Sequence, residues 1–86
     1  MKTPKPYTPI IVVWEDAASM SGWQHGPAPP PPTCYTLGFF LEKTKRQIVL
    51  AAARSEENGE LTGVGDLWTI PLGCVVKIIR LKGGPS

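Results

Sequence analysis

The residues that could do covalent chemistry gather in one stretch of this 86-residue chain. Its only histidine, His25, shares that stretch with a carboxylate and two hydroxyls, from Asp16, Ser19 and Ser21. Nucleophilic catalysis needs such groups to be held rigidly beside an oxyanion hole, and spacing within one loop supplies neither. We therefore expect no enzymatic activity, and interpret His25 as a solvated residue or one stacked on Trp23.

Metal and cofactor sites are not expected either. A structural zinc ion takes four ligands, whereas Cys34, Cys74 and His25 are three residues without a closely spaced pair. Gly63-Val64-Gly65 does not open a helix after a strand, as a phosphate-binding loop does, and is interpreted as a turn. The cysteines are interpreted as small buried hydrophobes, with a disulfide between them as the alternative.

Aromatic and proline residues are the stronger candidates for binding. Tryptophan and phenylalanine carry disproportionate energy at interfaces, which favours Trp23 and Phe40 as anchors, although Trp23 could instead hold its own loop against the domain. The prolines from Pro27 to Pro32 should form a stiff polyproline II segment, and a preorganised loop loses less entropy on binding. We predict a surface that binds an unknown protein or a second copy of the chain, formed by Trp23, Phe40, Pro29 and Pro30.

Basic residues support an alternative function. A cluster of basic residues beside an exposed aromatic is typical of surfaces that bind single-stranded nucleic acid. The net charge of only +2 and the glutamates nearby argue for ordinary solvated charge instead, and lysines also protect sheet edges. A nucleic-acid-binding accessory factor would use a predicted hairpin turn and the last strand, through Lys43, Lys45, Arg46, Lys77 and Arg80.

Short β-strands must position these residues. Runs rich in β-branched and aromatic residues predict five strands, with turn signals at Asn58-Gly59 and at Gly63-Val64-Gly65. A long proline-rich connection over residues 15–33 separates the first two strands. The predicted strands are Ile10–Trp14, Cys34–Glu42, Gln47–Arg54, Leu67–Ile70 and Cys74–Leu81.

Alternation along the second strand predicts which side chains face the core. We expect the odd positions to face inward and Phe40 to stand exposed among polar residues on the other face. Trp14 and Trp68 share the parity of apolar neighbours and are expected in the core. The predicted inward-facing residues of the second strand are Tyr35, Leu37, Phe39 and Leu41.

The break at Pro71 identifies the fold class. Proline ends a ladder because it donates no backbone hydrogen bond, and Gly73 permits a tight turn before the last strand. Five strands with such a break predict an all-β, SH3-like barrel. The alternative is an OB-like barrel, which usually has a helix between its third and fourth strands. We expect one domain over residues 10–81, an extended N-terminal tail over 1–9 and a flexible C-terminal tail over 82–86.

Composition places this domain in the cytoplasm. The chain is 42% hydrophobic, and none of its apolar runs reaches the length of about 18 residues that spans a bilayer. The apolar run from Ile10 to Trp14 is also too short for a signal peptide, and two cysteines do not make a disulfide scaffold.

Several motifs together resemble a known group of proteins. They are Val12-Val13-Trp14-Glu15-Asp16-Ala17 followed by Trp23, then Leu37-Gly38-Phe39-Phe40-Leu41, and finally Thr69-Ile70-Pro71-Leu72-Gly73-Cys74-Val75-Val76. Over residues 10–81 the chain resembles short uncharacterised proteins of tailed phages with an SH3-like β-barrel. The resemblance implies a phage-encoded accessory protein in the host cytoplasm, and it brings no activity, cofactor or binding residue with it.

Overall fold

The computed structural model describes residues 3–16 and 30–81. Within these residues the chain forms five strands and one short 3-10 turn, which confirms the prediction of a small all-β protein. The elements are β1 (Pro9–Glu15), β2 (Thr33–Lys43), β3 (Gln47–Glu57), β4 (Glu60–Pro71), the 3-10 turn (Leu72–Cys74) and β5 (Val75–Arg80).

All five strands belong to one antiparallel sheet in the order β4-β3-β2-β1-β5. This order, with a 3-10 turn before the last strand, is the SH3-like arrangement. A tight hairpin joins β3 to β4, so the helix of the OB-like alternative is not there. The last strand pairs with β1 and not with β4, and the described sheet therefore coils without closing into a complete barrel.

The hairpin between β3 and β4 is longer than predicted. Asn58 and Gly59 both have positive φ, 53° and 81°, as a two-residue type I′ turn requires. Pairing continues from this turn along both strands, and the hydroxyls of Ser55 and Thr62 lie 2.8 Å apart across it. The predicted turn at Gly63-Val64-Gly65 is wrong, because the hairpin turn sets a register that carries these residues into β4.

The break before β5 lies where the proline predicts it. Pro71 is the last residue of β4, and the chain then makes one 3-10 turn. The amide of Leu72 donates to the carbonyl of Arg46, 2.8 Å away, which fixes this turn against the β2–β3 connection. The turn redirects the chain from the β3 side of the sheet to β1.

The core lies on the concave, inner face of the sheet. Trp14 packs against it and donates its indole N–H to the hydroxyl of Thr36 at 2.9 Å, which confirms the prediction for this tryptophan. The same prediction for Trp68 is wrong: its side chain is 51% exposed, at an edge of the sheet beyond which no described strand lies. The central cluster consists of Ile10, Val12, Phe40, Ile48, Leu50 and Ile70.

The predicted orientation of β2 is inverted. Phe40 is only 2% exposed and pairs with Leu50 on the inner face, whereas Tyr35 and Leu37 are 65% and 61% exposed. Gly38 lies on the inner face, where a Cβ atom would stand 2.8 Å from the carbonyl oxygen of Ala51. Because Gly38 has no side chain, β3 can approach β2 closely there, and Phe40, two residues further along the same face, packs in the core.

Backbone and side-chain contacts fasten the segment before β1 to the sheet. The amide of Tyr7 donates to Phe40 O at 2.6 Å, and the amide of Phe40 donates to Thr8 O at 2.8 Å. Arg54 donates to Tyr7 O at 3.2 Å, and its guanidinium lies 5.4 Å from the ring centre of Phe39. Arg54 also forms an ion pair with Glu56. Residues 7 and 8 therefore extend the pairing between β1 and β2 beyond Pro9.

Candidate partner-binding surface

The outer face of β5, β1 and β2 carries a continuous row of aliphatic side chains. Ile11 is directly opposite Leu37 of β2 on one side and Ile79 of β5 on the other. Directly opposed residues have Cβ atoms about 5 Å apart, so the three side chains form one strip across the strands. Leu37 is 61% exposed and Ile79 37% exposed.

A second row extends this strip toward the end of β1. Val13 is opposite both Tyr35 and Lys77, and it is only 3% exposed although it lies on the outer face. Tyr35, in contrast, is 65% exposed. We call the exposed side chains of both rows the outer patch: Tyr35, Leu37 and Ile79, with Ile11 between them.

A shallow apolar hollow of about 210 Å³ adjoins the outer patch. Leu37 belongs to both, so an apolar side chain in the hollow would also contact the patch. Sites of this kind, in which an apolar depression lies beside a flat apolar surface, suit an anchoring side chain of a protein partner. The hollow is lined by Pro9, Leu37, Gly38, Phe39, Ala52 and Leu81.

The predicted partner-binding residues are not assembled as expected. The prediction that Phe40 is exposed is wrong, because its ring packs inside the sheet, and it is unavailable to a partner. Trp23 and Pro29 lie outside the described residues. Pro30 is exposed at the start of the described segment that leads into β2.

A second hollow lies beside the proline segment. Pro31 and Glu15 form one side of it, and residues 73–76 form the other, around a volume of about 290 Å³. The amide of Asp16 donates to Pro32 O at 3.0 Å and so holds the two ends of the long connection together. These ends lie beyond Tyr35, at one end of the outer patch.

The basic residues of the nucleic-acid alternative fall into two separate groups. Lys45 and Arg46 lie in the β2–β3 turn next to Lys43, where the hydroxyl of Thr44 accepts the Arg46 amide at 3.1 Å. Lys77 and Arg80 lie on β5, which is separated from β3 by β1 and β2. The backbone hydrogen bond from Leu72 to Arg46 connects the β2–β3 turn to the segment before β5, but it involves no basic side chain.

Residues with catalytic or ligating potential are likewise dispersed. Within residues 3–16 and 30–81, no group of three or more His, Cys, Asp or Glu side chains could hold a metal ion. His25, Ser19 and Ser21 lie outside the described residues. Cys34 and Cys74 are both free thiols, half-buried on opposite sides of β1.

Sequence reasoning missed the outer patch because it assigned Tyr35 and Leu37 to the core. One signal was present in the chain: apolar residues occupy both faces of β2, including Phe40 on the face interpreted as polar. A strand that is apolar on both faces is either covered on both sides or exposes one apolar face. Alternation alone does not distinguish these cases.

The fold and surface together define a class: a small all-β domain with SH3-like strand order and an exposed apolar sheet face. No protein-family model matches the chain, and no curated protein or solved structure is significantly similar to it. In the described part of the chain, no helix has the length and apolar character needed to cross a membrane.

Proposed function

We propose that the protein is a non-catalytic interaction module that binds a partner protein through the outer patch. The exposure of Leu37 between Ile11 and the apolar hollow carries this proposal. Contiguous exposed apolar surface is uncommon on monomeric domains, and it usually marks a site of interaction. The phage origin, the accessory role and the cytoplasmic location stay predictions from the sequence.

The proposed mechanism also includes Trp23, as a second contact for the partner. The connection that contains it begins and ends beyond Tyr35, since Glu15 pairs with Thr33 and Val13 pairs with Tyr35. A tryptophan presented from this connection would enlarge the contact made by the outer patch. The prolines reduce the entropy that the connection loses on binding.

Leu37→Lys tests the proposal, because it places a charge at the centre of the outer patch. Val64→Lys is the matched control: Val64 is a 40% exposed aliphatic residue on β4, which β3 separates from the strands of the outer patch. Wild type and both variants are immobilised and incubated with bacterial lysate, with and without nuclease. Retained proteins are then quantified by mass spectrometry.

We expect a protein that wild type and Val64→Lys retain after nuclease treatment and that Leu37→Lys loses. With that protein purified, Leu37→Lys should raise the dissociation constant by about tenfold or more, with little dependence on salt. Equal binding by Leu37→Lys would refute the outer patch. Retention that nuclease abolishes would instead support nucleic-acid binding by the basic residues, with affinity that falls steeply as salt rises.

Trp23→Ala measures the contribution of the long connection separately. If Trp23 anchors the partner, its removal should weaken binding without lowering the free energy of unfolding. If the residue instead holds the connection against the domain, both binding and the unfolding free energy should fall together. Unchanged binding and stability would remove Trp23 from the site.

A further inference from the structure

The sheet has two outer edges that no described strand covers. Within residues 3–16 and 30–81, β4 pairs only with β3 and β5 pairs only with β1. An edge strand presents a row of backbone donors and acceptors that another strand can pair with. The two edges are therefore potential junctions between molecules.

The two edges carry opposite charge. The charged residues of β4 are Glu60 and Asp66, both acidic, whereas those of β5 are Lys77 and Arg80, both basic. Pairing β4 with β4, or β5 with β5, would bring strands of like charge together, which is unfavourable in a sheet. The charges favour contact between β5 of one molecule and β4 of another.

The faces on which the side chains lie restrict the register of such a junction, and the charge pair between Arg80 and Asp66 fits one of the registers that remain. Neighbouring residues of a continuous sheet must lie on the same face, and a shift of one residue would place every side chain on the wrong face. If Arg80 lies opposite Asp66 in an antiparallel pair, Ile79 then lies opposite Leu67. Both of these aliphatic residues are on the outer face, at 37% and 60% exposure.

The same register also pairs the inner-face residues. Ile78 lies opposite Trp68, whose side chain is 51% exposed at the β4 edge. If the pairing moved by two residues so that Ile78 lay opposite Asp66, the charge pair with Arg80 and both apolar pairs would be lost. Asp66 has a positive φ of 55°, which interrupts regular strand geometry and ends the junction at this residue.

We propose that the protein assembles head to tail, with β5 of one copy added antiparallel to β4 of the next. The junction joins two different surfaces, so each added copy leaves one β4 edge and one β5 edge available. Such an interface forms a ring where the rotation between copies closes, and an open filament where it does not. The junction would bury Trp68, Leu67 and Ile79 between copies.

Two single substitutions, one on each edge, test this assembly. Leu67→Lys adds a positive charge to the β4 edge, opposite the basic β5, and Ile79→Lys introduces a charge on the apolar side of β5. Leu37→Lys is the control, because Leu37 lies on an interior strand and belongs to neither edge. Circular dichroism verifies folding, and multi-angle light scattering after size exclusion gives the mass.

We expect wild type and Leu37→Lys to exceed twice the 9.3 kDa monomer mass, and each edge variant to be monomeric. An equimolar mixture of the edge variants should form a dimer and nothing larger. In that mixture the native β5 of the Leu67→Lys variant can pair with the native β4 of the Ile79→Lys variant. The two edges that remain both carry an introduced lysine, so no further copy is added. This complementation distinguishes a head-to-tail junction from a two-fold one.

A wild type that stays monomeric up to millimolar concentration would overturn the proposal, as would a mixture of edge variants that stays monomeric. Loss of assembly in Leu37→Lys would assign self-association to the outer patch instead. If Ile79→Lys does not fold, Val76→Lys replaces it, since Val76 is 53% exposed on the same strand. The proposal is independent of partner binding. Leu67 lies outside the outer patch, so Leu67→Lys should abolish assembly and retain the partner, whereas Leu37→Lys should lose the partner and retain assembly.

Discussion

Both faces of β2 carry apolar side chains, and the outer face carries more of them, yet only the inner face belongs to the core. Phe40 is 2% exposed on one face, and Leu37 is 61% exposed on the other. The sheet coils around the side of Phe40, so strands that are distant in the order supply neighbours there. Leu37 has neighbours only within its own layer. Apolar composition therefore shows that β2 belongs to a sheet, but not which of its faces is covered.

The largest expected difference between the faces comes from truncating an aromatic on each. Phe40→Ala removes a ring from the packed cluster and should lower the free energy of unfolding by about 3–5 kcal/mol. Tyr35→Ala removes an exposed ring and should change it by about 0.5 kcal/mol or less. Urea denaturation of both variants measures this difference. Similar losses in the two variants would contradict the assignment of the faces.

Gly38 offers a second test of the difference between the two faces of β2, because it lies on the inner face. Gly38→Ala places a Cβ atom 2.8 Å from Ala51 O, and we expect a loss of about 1–3 kcal/mol in unfolding free energy. Gly65→Ala is the control, since a Cβ atom there meets nothing within 4 Å. The control should be neutral or stabilising by up to about 1 kcal/mol. A tolerated Gly38→Ala would mean that β2 and β3 do not approach closely.

The hydrogen bond between Trp14 and Thr36 should have a smaller effect. Trp14→Phe keeps most of the ring in the core but removes the indole donor, at a cost of about 1 kcal/mol. Thr36→Val removes the acceptor. If the bond stabilises the fold, the double variant should lose less stability than the sum of the single variants. Additive losses, measured by thermal or urea unfolding, would show that the bond contributes nothing.

Leu37→Lys should have the smallest effect on stability among these variants and the largest effect on partner binding. Leu37→Lys replaces a side chain that is already exposed to water, so the unfolding free energy should change by about 0.5 kcal/mol or less. The same substitution should abolish partner retention in the experiment described above. A large loss of stability in this variant would place Leu37 in the core and remove the outer patch as a surface.

Sequence patterns predicted the fold better than they predicted the site. Five strands, the Asn58-Gly59 turn and the break at Pro71 all follow from local backbone preferences, and all are present. Locating the site requires knowing which face of each strand is covered, and here the prediction that Phe40 is exposed was wrong. Tyr35 and Leu37 escaped notice because alternation assigns the more apolar side of a strand to the core, whereas the more apolar side of β2 faces outward.

The burial of the two tryptophans likewise depends on where their strands lie in the sheet. Trp14 and Trp68 both lie on strands and both have inner-face partners in the register. Trp14 belongs to β1, which has a strand on each side, and it packs against the core. Trp68 belongs to β4, which has a strand on one side only. Nothing in the sequence around either residue distinguishes an interior strand from an edge.

The amino-acid sequence by itself determined that five strands form and where the tight hairpin turn and the break before β5 lie. These features depend on residues a few positions apart, through proline's missing donor, the positive φ of Asn58 and Gly59, and β-branched side chains. The tertiary structure alone decided the strand order, the covered face of β2 and the two uncovered edges. Those features depend on contacts between segments far apart in the chain, which local preferences do not encode.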